Sequence, residues 1–203
     1  FVVNLADQSS PQLIPYSSNP ATFAWTLTSN ADGSVVVMGT TGGAGDPNVD
    51  NDDYPNLYFF DTTDRTNPSL LSTLRLTVPS RTVTYGPPGY EYTYFLESDL
   101  EVHGLSMSPD GNTLYVSCIS EEYSPTDVPL FFVVDISILT QPRVIAEVDN
   151  TDLSGSLPVH CLSPDGSTLY VAGDNSVDPD SKRFLSAYDV SNPSSPTQIW
   201  RYE

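Results

Sequence analysis

Residues 105–116 read Leu105-Ser-Met-Ser-Pro-Asp110-Gly111-Asn-Thr-Leu-Tyr-Val116, and the next apolar run is Phe131-Phe-Val-Val-Asp135. Asp-Gly between two stretches rich in β-branched and aromatic residues is typical of a tight hairpin turn, because glycine tolerates a positive φ there. The second run ends in aspartate, Pro142 follows seven residues later, and another apolar run starts directly after the proline. This part of the chain therefore predicts four consecutive short strands.

The same pattern recurs along the chain. Two further Asp-Gly turns are Asp32-Gly33 and Asp165-Gly166. Three further strands end seven residues before a proline, at Asn4, Asp61 and Asp189. Repeated units of four antiparallel strands are typical of β-propeller blades. The predicted fold class is all-β, with about three and a half four-stranded blades of a larger β-propeller. A β-sandwich would explain the short strands but not the four-strand period.

Two sets of residues resemble known propeller repeats. Val133-Val134-Asp135-Ile136-Ser137 and Tyr188-Asp189-Val190-Ser191-Asn192-Pro193 resemble LVIVD repeats. Ser108-Pro109-Asp110-Gly111 and Ser163-Pro164-Asp165-Gly166, each followed by Leu-Tyr-Val, resemble the YVTN and lactonase-like repeat. Families with such blades include bacterial surface proteins and some enzymes. The resemblance therefore implies a propeller protein that is secreted or attached to the surface of a bacterial cell.

The repeats divide the chain into predicted segments. Residues 1–18 would supply the last two strands of one blade, and 80–99 a Tyr-rich hairpin insertion. Complete blades are predicted at 21–79, 100–150 and 156–203. Closed propellers usually have about four to eight blades. Two interpretations follow: the chain is part of a longer propeller, or it is an open unit that assembles through exposed strand edges.

The composition limits the choice of partners. The chain has 26 acidic and 7 basic residues, which gives a formal net charge of −19. This charge repels phosphate backbones and argues against a nucleic-acid partner. It favours divalent cations or basic partners instead. No apolar run is long enough to cross a membrane.

Two acidic segments are predicted to join strand two to strand three of their blades, on one face of the propeller. Their oxygen ligands stand at alternate positions, like the start of a calcium loop, but the glycine and the distal glutamate of an EF-hand are missing. The candidate Ca²⁺ ligands are Asp46, Asn48, Asp50, Asp52, Asp174, Ser176, Asp178 and Asp180. A solvated acidic loop without a metal is the alternative. No other cofactor is predicted.

The predicted hairpin insertion carries a set of tyrosines. They are Tyr85, Tyr90, Tyr92 and Tyr94. The last three alternate along the chain, so they would share one face of a strand. Such a stripe can stack on sugars or anchor a protein interface, or it can simply cover the blade beneath it.

Three ring-bearing residues are predicted on the inner strands that line a propeller channel. Trp25 and His103 both precede an Asp-Gly aspartate by seven residues, and His160 precedes one by five. Two histidines near a channel mouth can ligate a metal or act as acid and base. Similar histidines also occur in propellers without catalysis. No serine-nucleophile motif is present, and no catalytic residue is assigned.

The sequence also predicts structural roles for cysteines and aspartates. Cys118 and Cys161 are flanked by apolar β residues, which favours buried free thiols, with a disulfide between blades as the alternative. Asp61, Asp135 and Asp189 are predicted to accept backbone hydrogen bonds in Asx-turns rather than to bind metal.

These features predict an extracellular or cell-surface scaffold. It would bind a protein or a glycan through an acidic, Tyr-rich loop face, with calcium stabilising the loops. One alternative is a subunit of an extracellular assembly or filament, joined through open blade edges. The other is a lactonase-like or metal-dependent hydrolase centred on the channel, and the sequence favours enzymatic activity less.

Overall fold

The computed structural model describes residues 2–4, 12–14, 24–40, 55–77, 81–85, 92–96, 100–119, 130–149, 159–174 and 183–202. Every regular element within these ranges is a β-strand. The strands form three four-stranded sheets and two two-stranded hairpins, and all the pairings are antiparallel. The predicted all-β class with four-stranded antiparallel units is confirmed.

The strands follow one another in space as they do along the chain. The first hairpin is β1 (Val2–Asn4) and β2 (Gln12–Ile14). The first sheet is β3 (Ala24–Ser29), β4 (Val35–Thr40), β5 (Leu57–Asp61) and β6 (Ser69–Leu74). The second hairpin is β7 (Arg81–Tyr85) and β8 (Tyr92–Leu96). The second sheet is β9 (Glu101–Met107), β10 (Thr113–Ile119), β11 (Phe131–Asp135) and β12 (Arg143–Val148). The third sheet is β13 (Val159–Leu162), β14 (Thr168–Asp174), β15 (Arg183–Asp189) and β16 (Thr197–Tyr202).

The Asp-Gly turns join the first two strands of each sheet, as predicted. Gly33, Gly111 and Gly166 have φ values of 70°, 73° and 75°, which lie in the left-handed region that suits glycine. In the second sheet the hydroxyl of Ser108 accepts a hydrogen bond from the Thr113 N–H at 2.9 Å. Asn30 and Ser163 accept the equivalent bond in the other sheets, also at 2.9 Å. The turn is thus one local network repeated three times.

The third and fourth strands are joined by Asx-turns, which confirms that prediction. Asp61, Asp135 and Asp189 each accept the backbone N–H two residues later, at 2.8, 3.0 and 3.0 Å. The hydroxyl group at that later position donates to the same carboxylate oxygen at 2.6 Å in all three turns. These bonds stabilise the ionised carboxylate and lower the pKa of all three aspartates. The carboxylates therefore serve the turn and are engaged within it.

The core lies between the sheets. Alternate residues of β10 point in opposite directions: Leu114 and Val116 pack toward the first sheet, and Tyr115 packs toward the third. The first cluster includes Val37 and Phe59 of the first sheet. The second cluster is built from the residues Phe131, Val133, Leu169, Val171 and Phe184 among others. The second sheet is therefore covered by apolar contacts on both faces.

A buried asparagine connects the first sheet to the start of the second. The Asn56 side chain donates to the carbonyl oxygens of Leu76, at 3.3 Å, and of Leu100, at 3.0 Å. Its own oxygen accepts the Leu76 N–H at 2.6 Å. Buried backbone groups need such partners, because an unpaired one carries the full cost of its desolvation. Asn56 thus provides hydrogen-bond partners for buried backbone groups of Leu76 and Leu100, which lie outside the strands.

The cysteines differ from the sequence expectation in one respect. Both are free thiols, and Cys118 is buried between the first and second sheets. Cys161 is exposed, so the prediction that it is buried is wrong. It lies on the face of the third sheet that no other described sheet covers. The apolar neighbours of Cys161 in the sequence do not show which face of a sheet is covered.

Candidate functional site

The predicted functional positions lie where the strands end on one side of all three sheets. Strand one begins and strand two ends at this edge, whereas the Asp-Gly turns and Asx-turns lie at the opposite edge. The connections from β4 to β5, from β10 to β11 and from β14 to β15 leave and re-enter the sheets here. We call it the loop edge.

A three-residue cluster lies at the loop edge between the first and second sheets. The rings of Trp25 and His103 stack with centroids 5.3 Å apart and an interplanar angle of 26°. Nε2 of His103 lies 3.3 Å from Oε2 of Glu101. Trp25 is 59% exposed, while the side chains of His103 and Glu101 are largely covered. We call these three residues the Trp25 cluster.

Strand irregularities place two members of the Trp25 cluster. The pairing of β3 with β4 shifts register between Ala24 and Thr26, at Trp25. The pairing of β9 with β10 shifts between Ser117 and Cys118, opposite His103. A β-bulge redirects the side chain of its extra residue and is frequent beside functional sites. Trp25 and His103 stand at the same distance before their Asp-Gly turns in the sequence, and in the structure they contact each other between two neighbouring sheets.

Glu101 is a member of this cluster that sequence reasoning missed. It lies two residues before His103 at the start of β9. Alternate residues of a strand share a face, so a carboxylate two positions from a candidate histidine was the signal that could have identified it.

His160 lies in a different environment from His103. It pairs with Val171, at the position that Leu105 takes opposite Val116 in the second sheet. Its Nδ1 lies 3.2 Å from the hydroxyl oxygen of Ser117, and its Nε2 is buried, with no partner in hydrogen-bonding geometry among the described residues. Burial lowers the pKa of His160 to about 4, so the ring is neutral at physiological pH.

Gly104 makes room for this imidazole. A Cβ at Gly104 would lie 3.0 Å from Cε1 of His160 and would clash with the Ser117 hydroxyl. Ser117 is fully buried, so its proximity to a histidine does not present a nucleophile to a substrate. The Ser117–His160 pair is a packing arrangement between the second and third sheets.

The predicted calcium ligands fall largely outside the described residues. Asp46, Asn48, Asp50, Asp52, Ser176, Asp178 and Asp180 all lie there. Asp174 ends β14 at the loop edge, where its backbone pairs with Arg183. Among the residues that the structure describes, no group of three or more His, Cys, Asp or Glu could hold a metal ion. Calcium binding by the two loops stays a prediction.

The Tyr-rich insertion contains a hairpin. Tyr85 of β7 pairs directly with Tyr92 of β8, and Val83 pairs with Tyr94. Tyr85, Tyr92 and Tyr94 therefore occupy register positions on one face of the hairpin. Tyr90 lies outside the described residues.

Comparison with known proteins identifies a fold and no family. No protein-family model matches the chain, and no curated protein matches it in sequence. Among the described residues, no helix has the length and apolar character needed to cross a membrane.

Several solved structures match most of the chain. A periplasmic gluconolactonase of Pseudomonas aeruginosa, PpgL, matches with a TM-score of 0.51 and 14% identity, over 90% of this chain and 54% of that one. Hsv2 of Kluyveromyces lactis matches with a TM-score of 0.50 and 12% identity, over 95% and 54%. The β-propeller domain of Cps50 (Swd1) from Myceliophteria thermophila matches with a TM-score of 0.37 and 12% identity, over 87% and 57%.

The chain spans about half the length of these structures. At such low identity the likeness concerns the fold alone. Three four-stranded antiparallel sheets, stacked through their faces and similar to β-propeller proteins, identify the chain as a set of β-propeller blades.

Proposed function

We propose that the chain is a β-propeller binding module that holds a positively charged protein segment at the loop edge. The observation that carries the proposal is the Trp25 cluster, in which an exposed indole lies beside a histidine and a glutamate. An arginine or lysine side chain can pack on the free face of an indole through a cation–π interaction, and a nearby carboxylate adds to the attraction.

The charge of the chain supports a cationic partner. The net charge is −19, and acidic residues are concentrated in the connections that start and end at the loop edge. A field of this sign draws basic partners toward the edge and speeds their association. The Tyr-rich hairpin would widen the contact area, in keeping with the frequency of tyrosine at interfaces.

A cationic peptide titration tests this proposal. The chain has two tryptophans, so a Trp200→Phe background leaves Trp25 as the fluorescent reporter for a synthetic oligoarginine peptide. Trp25→Ala, followed by calorimetry, should weaken binding by about 3- to 30-fold, the range of one cation–π contact. This substitution leaves the net charge unchanged, so the loss reports the ring and not the overall field.

Matched variants sharpen the result. Trp200→Ala removes the other tryptophan, on the third sheet, and should bind the peptide like the wild type. Glu101→Gln should weaken binding and reduce its salt dependence. Equal affinity of Trp25→Ala and wild type refutes the proposed site. Binding of neutral oligosaccharides without binding of the peptide would indicate a glycan partner and refute a cationic one.

Calcium is a further part of the proposal. It rests on the alternate oxygen ligands of the two acidic segments, and bound Ca²⁺ would stabilise the folded chain by mass action. Millimolar Ca²⁺ should raise the melting temperature, and a chelator should reverse the rise. The combined Asp46→Asn and Asp50→Asn variant should respond less. An unchanged melting temperature in the wild type refutes calcium binding.

The proposed location is outside the cell. It rests on the resemblance of the repeats to those of bacterial surface proteins. Protease treatment of intact cells of the native source, followed by detection of the chain, should show cleavage. Full protection that ends only on cell lysis contradicts the location.

A further inference from the structure

The third sheet has one covered face and one open face. Leu169, Val171 and Phe184 pack toward the second sheet. Register places another set of apolar residues on the opposite face, because they pair across the strands at the alternate positions. The large exposed apolar members of this open face are Val159, Tyr170, Leu185, Trp200 and Tyr202.

These residues repeat a surface that is buried elsewhere in the chain. Counted from the Asp-Gly turn and from the aspartate that ends strand three of each sheet, Tyr170 corresponds to Tyr115 and Leu185 to Phe131. Tyr115 is 1% exposed and Tyr170 is 37% exposed. Phe131 and Leu185 differ in the same way, at 0% and 41%. On the outer strands Trp200 corresponds to Ala146 and Tyr202 to Val148, and both counterparts pack in the core between the second and third sheets.

The open face therefore has the composition of a face that holds another sheet. In the second sheet the equivalent positions contact the apolar face of the third sheet. Tyr170 and Leu185 are more exposed than Tyr115 and Phe131, because no described sheet lies against them.

The complementary surface is present at the other end of the stack. Leu27 of the first sheet is 61% exposed and pairs with Met38. Leu27, Val36 and Met38 share the face of the first sheet that points away from the second, which we call its open face. Val36 and Met38 correspond to Leu169 and Val171, the residues through which the third sheet contacts the second.

We propose that the open face of the third sheet binds the open face of the first sheet in a second copy of the chain, so that two copies close into one head-to-tail ring. The contact repeats the packing that already joins the second sheet to the third. Two copies contribute six four-stranded sheets, within the range of about four to eight blades in closed propellers.

This contact differs from strand-edge pairing and from the peptide site. It buries faces, and its contribution comes from apolar area, so it should persist in high salt, where repulsion between the acidic chains is screened. Binding of a cationic peptide at the Trp25 cluster should weaken under the same conditions. Failure of one proposal therefore leaves the other intact.

Light scattering after size exclusion tests the ring. The wild type should have twice the 22.1 kDa mass of one chain at micromolar concentration. Tyr202→Asp on the third sheet and Leu27→Asp on the first sheet should each raise the dissociation constant by about a hundredfold or more, because each buries a charge in an apolar contact. Ile138→Asp is the matched control, because Ile138 is 59% exposed but lies in the turn between β11 and β12. This variant should remain dimeric.

Mixing the two variants gives a stricter test. In a head-to-tail arrangement an equimolar mixture of Tyr202→Asp and Leu27→Asp retains one intact contact and should form a dimer that neither variant forms alone. Labelling of Cys161 gives an independent measure, since Cys161 pairs with Tyr170 on the open face. Its thiol should be protected in the dimer and reactive in Tyr202→Asp. The melting temperature and circular dichroism of this variant serve as the control that it is folded.

A monomeric wild type, a polymer larger than a dimer, or a dimer that only Tyr202→Asp disrupts would each overturn the head-to-tail ring.

Discussion

Replacement of His160 by leucine should change how the stability of the chain depends on pH. Leucine occupies the equivalent positions of the other two sheets, at Leu27 and Leu105, so the fold accommodates it. The variant removes a ring whose Nε2 is buried and whose pKa is lowered to about 4 by burial.

The sign follows from the two pKa values. An unfolded histidine has a pKa of about 6.5. As the pH falls below that value the unfolded chain binds a proton and the folded chain does not, so stability is lost until the pH reaches the folded pKa. The slope approaches about 1.4 kcal/mol per pH unit. Between about pH 7.5 and about pH 4.5 the wild type should lose about 2.5 kcal/mol more than His160→Leu.

Urea unfolding measures this difference. Tryptophan fluorescence and circular dichroism give the midpoint and slope for both proteins at each pH, at one protein concentration. The hydrogen bond between Ser117 and the imidazole is lost in the variant at every pH, for a cost of about 1 kcal/mol, so the evidence lies in the trend and not in the offset. Both proteins keep His103 and all aspartates, so the effects of those groups cancel. A difference that stays constant across the range would refute the buried, neutral imidazole.

Three further predictions concern one residue that connects two sheets and two residues that close turns within a sheet. Asn56→Ala should lower the free energy of unfolding by about 2–4 kcal/mol, because buried backbone groups of Leu76 and Leu100 lose their partner. Chemical denaturation measures this loss, and the surface variant Asn67→Ala should have little effect. Gly33→Ala should cost about 1 kcal/mol through its positive φ alone, since its added Cβ would meet nothing within 4 Å, and a melting temperature equal to wild type would contradict the turn geometry. Asp135→Ala should destabilise the chain at neutral pH, and its difference from wild type should shrink as the pH falls toward about 2, the lowered pKa of Asp135, because the contribution of the carboxylate is lost there; a difference that grows in acid would argue against the turn.

The strand pattern could be predicted from the sequence, because it depends on near neighbours. The Asp-Gly turn closes within five residues, through Ser108 and Thr113, and the Asx-turn closes within two, through Asp135 and Ser137. Such contacts form wherever the same residues stand at the same spacing. The repeats therefore predicted the turns and the four-stranded units.

The candidate site could be predicted only in part. Trp25 and His103 were recognisable as equivalent residues, but their stacking depends on how the first sheet lies against the second. His160 looked similar to His103 along the chain, yet it occupies a leucine position between two sheets. A difference of two residues in spacing moved it from the mouth of the inner strands into the packing.

The sequence by itself determined the order of the strands, the chemistry of the turns and the concentration of negative charge in the connections. The tertiary structure decided which faces are covered. Tyr115 and Tyr170 stand at the same position of the same repeat, and one is buried while the other is exposed. The physical reason is that a turn is closed by its own residues, whereas the burial of a strand face depends on whether another sheet lies against it.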